Sequence, residues 1–219
     1  MKYKRRQHKL NNVGSAIVTI LVVVAFLTIL STVMLYISGM NYQMKVTDYR
    51  TKESFYQAEI PVEELRTRLI KDVQTAFAKA YMRVMCEYVG LNDANMRAYT
   101  YRQLFYEELE NIWLSRCSST EDGQKDWKSA IEAVVQSASS GNWTVNVDNL
   151  HLDSSQLDAG QIYFGDIEFT YNSADNYVSI IKTKYCITIP YINWDENAPP
   201  AQTESDFNEC VVYMNWTKN

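Results

Sequence analysis

The stretch at residues 15–37, SAIVTILVVVAFLTILSTVMLYI, carries no charged side chain. As a helix rising about 1.5 Å per residue it measures about 35 Å, enough to cross a bilayer core of about 30 Å. Lys2, Lys4, Arg5, Arg6 and Lys9 precede it, with no acidic residue among them. By the positive-inside tendency the N-terminus stays in the cytoplasm and everything after Ile37 lies outside. The run is too long for the apolar core of a cleaved secretory signal, and no pair of small residues stands just beyond it at the spacing signal peptidase uses. The helix is therefore expected to be kept, as the single-pass anchor of a cytoplasmic-membrane protein whose head is outside.

Removing the five leader cations from the 21 Lys and Arg of the chain leaves 16, against 26 Asp and Glu. A head this acidic argues against nucleic acid as a partner, which needs a basic face. Sixteen tyrosines and five tryptophans suit a β-rich head, where aromatic rings pack well on a pleated surface. The part outside the membrane is expected to hold roughly 160 residues, the size of one ordinary domain.

The apolar run does not end in a loop. It passes through Ser38, Gly39 and Met40 into NYQMKVTDYRTKESFYQAEI, with no proline before Pro61. Tyr42, Tyr49 and Tyr56 recur every seven residues, and Val46 and Ile60 fall on the same stripe. This is one face of a helix continuing out of the membrane, with Lys45, Asp48, Arg50, Lys52 and Glu53 around it. From residue 15 to 60 such a helix would measure about 69 Å.

The leader ends in Gly14, and the small and apolar residues Ser15, Ala16, Ile17 and Val18 follow at once. Here the chain resembles type IV prepilins, and FYQAE at residues 55–59 resembles a segment of minor pilins of the PilX kind. The resemblance covers roughly residues 5–65. It implies cleavage between Gly14 and Ser15 by a membrane prepilin peptidase and methylation of the new N-terminus. It also implies assembly with other pilin subunits through a helix bearing Thr19, Tyr42, Val46, Tyr49, Tyr56 and Glu59. One departure stands out: major pilins carry a glutamate at the fifth position of the mature chain, where this chain has Thr19. A membrane carboxylate is costly without a partner, whereas the Thr19 hydroxyl can bond back to the carbonyl of Ser15. Several minor pilins and pseudopilins at filament tips share that lack.

Beyond Pro61, expected at the first turn of a second helical segment or at a kink, apolar residues fall at helical spacing. They are Val62, Leu65, Leu69, Val73, Ala76, Phe77, Ala80 and Val84, in a helix expected to reach Val89 and stop at Gly90. A second helix is expected over residues 94–116, with Tyr101, Phe105, Leu109, Ile112 and Trp113 on its apolar side. A third follows a capping box at Ser118, Ser119, Thr120 and Glu121, with Trp127, Ala130, Ile131, Val134, Val135 and Ala138 as its stripe and Gly141 at its end. After Gly141 the period changes to two. Strands are expected over residues 143–147, extended by Leu150 and Leu152, then over 162–171, 177–194 and 211–216. In the long strand Ile181, Tyr185, Ile187, Ile189 and Tyr191 share one face, and Lys182, Lys184, Cys186 and Thr188 the other. The expected class is α+β: a long transmembrane-to-amphipathic helix packed on an antiparallel sheet head with two further helices. Its divisions are a leader at residues 1–14, a membrane half at 15–40, a neck at 41–60 and a head at 61–219.

No HExxH, CxxC, P-loop, GxGxxG or GxSxG pattern occurs. His151, between two leucines, reads as a strand residue, and the acidic runs at 121–123 and 153–160 lack EF-hand spacing. No catalytic residue, metal or cofactor is expected. The four cysteines allow three pairings. Cys186–Cys210 is the preferred pair, because Cys186 lies on the polar strand face and Cys210 follows the loop at 195–209. Cys86–Cys117 is the remaining pair, and four reduced thiols are the alternative. The expected function is that of a minor pilin or pseudopilin, a structural subunit of a cell-surface filament. The alternative is a signal-anchored binding protein or cell-wall enzyme that never assembles.

Overall fold

The computed structural model describes residues 12–87, 90–91, 93–119, 125–135, 142–147, 150–174, 177–194 and 206–218. Most of the basic leader lies outside these residues, as do Val89, Thr120, Glu121, Ala138, Gly141 and residues 195–205 of the acidic loop. By its contacts the chain divides into two units, Met1–Thr51 and Lys52–Asn219.

A single helix, α1, runs from Asn12 to Glu87. Its interior holds just two glycines and one proline, so little in its composition opposes a helix. The break or restart expected at Pro61 does not occur: Pro61 is inside the helix and buried. Proline removes one backbone donor and crowds the preceding turn. Here the turns on either side are held by Ala58, Val62 and Leu65, none of them more than 2% exposed. α1 ends at Glu87, two residues before the expected Val89, and the Gly90 N–H then donates to the Glu87 carbonyl.

In the Met1–Thr51 unit every described residue is helical, and nearly all the side chains from Ala16 onward are exposed. This part of α1 contains a segment long and apolar enough to cross a membrane.

The Lys52–Asn219 unit is α+β. Helix α2 spans Ala94–Leu114, started by Asp93, whose carboxylate accepts from the Asn95 N–H. Helix α3 spans Trp127–Val134. The capping box expected at residues 118–121 is not its start. Ser118–Ser119 is instead a short strand, β1, paired with β2 at Lys125–Asp126. Asp126 caps α3 by accepting from the Lys128 N–H, and the Ser118 N–H donates to the Ser129 hydroxyl. Asp126 stands directly before the first helical residue, where its carboxylate can reach an orphan N–H of the first turn.

Four long or medium strands form the main sheet in the order β3 (Trp143–Val147), β5 (Gln161–Asn172), β6 (Val178–Thr188), β7 (Val211–Lys218), antiparallel throughout. Leu152 does not extend β3. It belongs to a separate strand, β4 (Leu152–Asp153), on β5 beside Phe164 and Tyr163. The β5–β6 ladder shifts register at Gly165 and Asp166, where both residues have positive φ, 147° and 64°. β6 stops at Thr188, ahead of Pro190, and the alternation stops with it. Tyr191, expected on the inner face with Ile189, is therefore 80% exposed, and Ile192 and Trp194 turn inward instead.

The core lies between this sheet and the helices. All eight apolar positions of the expected α1 stripe from Val62 to Val84 are buried. α1 is tied to β6 by the Tyr185 hydroxyl donating to the Val62 carbonyl at 2.9 Å and by the Ser54 and Ser179 hydroxyls at 2.8 Å. α2 meets the sheet through Trp113, whose ring lies 4.7 Å from that of Phe164, and through Tyr106, which donates to the Leu152 carbonyl. α1 and α2 run antiparallel, as their ion pairs show: Lys79 and Arg83 reach Glu108, and Arg116 reaches Asp72.

Candidate assembly surface

The exposed face of α1 begins in the Met1–Thr51 unit. Gly14 and Ser15 lie in its first turns. From Ile17 to Ile37 the large apolar side chains are exposed along the whole length. Three threonine hydroxyls in this unit are turned back onto the helix: Thr28 donates to the Ala25 carbonyl, Thr32 to Thr28 and Thr51 to Thr47. Such back-bonding lets a threonine sit in an apolar environment without an orphaned donor. Thr19 is exposed on the same helix. Tyr42 and Tyr49 are 70% and 67% exposed, and Val46 is half-buried. Shallow grooves run beside them, one lined by Met34, Ile37, Asn41, Tyr42 and Lys45, the other by Met40, Met44, Thr47 and Asp48.

In the Lys52–Asn219 unit, α1 continues with Tyr56 and Ile60 exposed and Glu59 half-buried. These three line a groove with Glu63, Glu64, Thr67, Arg68, Lys71 and Val134 of α3. Behind it, the Tyr213 hydroxyl donates to the Glu63 carboxylate at 2.6 Å. Burial and that hydrogen bond push the Tyr213 phenol above its ordinary range. Arg66 lies over the Tyr213 ring and donates to the Val211 and Asn208 carbonyls, which closes the start of β7 onto α1.

The cysteines do not pair. All four are free thiols. Across β6 and β7 the partner of Cys186 is Val212, not Cys210. Cys210 is part of the core, whereas Cys186 alternates with core residues Tyr185 and Ile187 and so faces the other side of the sheet. Both thiols are raised above the ordinary value, Cys186 by burial and Cys210 by burial together with Asp206 and Glu209. Cys86 and Cys117 are separated by the antiparallel run of the helices. Arg116 sits beside Asp72, fourteen positions short of Cys86 on α1, or about 21 Å along the axis.

His151 precedes β4, not within a strand, and is exposed. Among the described residues no group of three or more His, Cys, Asp or Glu is placed to hold a metal ion. Several structural residues gave no signal in the sequence, namely Arg66, Asp72, Arg116 and Tyr213. Ser54 had one: it stands four residues before Ala58, which stands four before Val62, so the buried stripe starts two turns earlier than Val62. The fold and this surface define an α+β protein with a membrane-length N-terminal helix. No family model, curated protein or solved structure matches the chain.

Proposed function

We propose that the chain is a minor pilin or pseudopilin. It is made as a membrane precursor, cut between Gly14 and Ser15 by a prepilin peptidase, methylated there, and built into a cell-surface filament with other pilin subunits through α1. Its work is structural and adhesive, and its head makes the outer contacts. The observation that carries this reading is α1 itself. One helix from Asn12 to Glu87 has an exposed apolar beginning, an exposed tyrosine stripe at Tyr42, Tyr49 and Tyr56, and a second half that forms the core of a sheet-bearing head. A plain anchor needs the first of these features and gains nothing from the second.

The rival is a signal-anchored protein that stays monomeric, in which Thr19 is no more than a tolerated residue of the span. N-terminal mass spectrometry of the membrane-bound protein separates the two. The expected mature chain starts at methylated Ser15 in cells with the peptidase and at Met1 without it, and Gly14→Trp blocks the cut. An N-terminus that is the same in both cells overturns the pilin reading.

A further inference from the structure

The charges along α1 come in blocks. Lys45, Arg50 and Lys52 form a mainly basic block with Asp48 and Glu53 among them, and Glu59, Glu63 and Glu64 form an acidic one. Lys45 and Arg50 are exposed in the Met1–Thr51 unit; in the other, the three glutamates line one end of a groove bordered by Tyr56, Ile60 and Val134, with Arg68 and Lys71 further along it. We infer that this groove takes the Tyr42–Lys52 stretch of a second copy of the chain, staggered by two heptads; this rests on the assembly role proposed above.

The stagger follows from the sequence of α1. A shift of fourteen residues, about 21 Å along the axis, brings Lys45 to the level of Glu59 and Arg50 to that of Glu64. The same shift sets Tyr42 level with Tyr56 and Val46 level with Ile60, so apolar stripe and charge agree on one register. Tyr49 comes level with Glu63. One like-charged level results, Lys52 with Arg66, but Arg66 is turned toward the start of β7 by its bonds to the Val211 and Asn208 carbonyls. With no stagger the same parallel helices would set each charged block against its like, which is unfavourable. Because one copy offers its basic block while the other offers the glutamate end of its groove, ahead of Arg68 and Lys71, the contact is heterologous and repeats from copy to copy.

The test uses two differently tagged full-length copies expressed together, with co-isolation from membranes as the readout. Each of K45E/R50E and E59K/E64K, present as the sole form, is expected to lower recovery of the second tag roughly three- to tenfold, the scale of two exposed ion pairs turned repulsive. Mixing the two variants restores opposite charge at both faces and is expected to return recovery to the wild-type level. A variant lost through misfolding would not be rescued this way, and urea midpoints of the heads check folding directly. Reversals without effect, or losses that mixing does not restore, overturn the register and leave the pilin reading standing. Wild-type copies that co-isolate with other pilins but never with each other overturn the second-copy occupant alone. An uncut N-terminus identifies failure of the pilin reading itself.

Discussion

Arg116 holds Asp72 with both terminal guanidinium nitrogens, Nη1 and Nη2, at 2.5 and 2.7 Å, across the interface between α1 and the end of α2. The Asp72 side chain is 4% exposed and that of Arg116 15%, so this pair is largely out of water. Arg116 also lies 4.9 Å from the centre of the Trp113 ring. Removing one partner of a buried pair costs about 3–5 kcal/mol, because the other charge stays buried. Arg68, 3.5 Å from Asp72, offsets part of this. Arg116→Met is therefore expected to cost about 3 kcal/mol, and adding Asp72→Leu to recover most of it. Urea unfolding of the two variants decides this. A double variant no more stable than the single one contradicts the expectation.

That pair marks where the sequence stops being legible. The α1 stripe from Val62 to Val84 could be read because a 3.6-residue period records which face is buried, and every one of those positions is buried. Asp72 sits one position before Val73 and looks like any solvated helix residue; its partner is 44 residues away and follows the end of α2. The same period put Tyr42, Tyr49 and Tyr56 on one stripe of α1, and all three are exposed. The contribution of Val134 to the groove was not, because it depends on where α3 packs. The cysteine pairing was not legible, because alternation leaves open which residues stand opposite across two strands: Cys186 meets Val212, and Cys210 stands beside Thr188.

The register shift in β5 gives a second prediction. At Gly165, with φ of 147°, a Cβ would come 2.8 Å from the Lys184 Cα, a backbone atom that cannot swing away. Gly160 also has positive φ, 75°, but no atom lies within 4 Å of its Cβ position. Gly160→Ala is expected to cost about 1 kcal/mol from backbone strain alone, and Gly165→Ala about 3 kcal/mol from strain plus the clash. Equal losses in thermal unfolding would mean that the β5–β6 contact gives way without resistance.

Alkaline pH should weaken the head. Burial raises the Tyr185 phenol well above its ordinary 10.0, with Tyr213 and Glu63 adding to it, and raises Tyr101, Cys186 and Cys210 as well. A group whose folded pKa is raised stays neutral in the fold while the unfolded chain ionises. Its contribution is complete below the unfolded value and declines as pH climbs from there toward the folded value. The urea midpoint is expected to hold up to about pH 8.5 and to fall steadily above it, first through the thiols and then through the phenols. Tyr185→Phe, which also loses the bond to the Val62 carbonyl, should start lower and fall less steeply. A midpoint flat to pH 11 would show that these groups ionise equally in both states.

Tyr49 provides the most direct test of the proposed assembly surface. It is 67% exposed, belongs to the Met1–Thr51 unit, and supports no part of the head. Burying its ring against a neighbouring helix is worth about 2 kcal/mol at about 25 cal/mol per Å², and an aspartate there would add a desolvated charge. Tyr49→Asp is expected to lower the amount of the protein in sheared filaments by roughly thirtyfold or more. The unfolding free energy of the head, read from urea melts, should stay within about 0.5 kcal/mol of wild type, as for surface changes elsewhere. Tyr49→Phe keeps the ring and should keep the protein in the filaments. If Tyr49→Asp is recovered as well as the wild type, the stripe at Tyr42, Tyr49 and Tyr56 is not buried by assembly, and α1 meets its neighbours through another face.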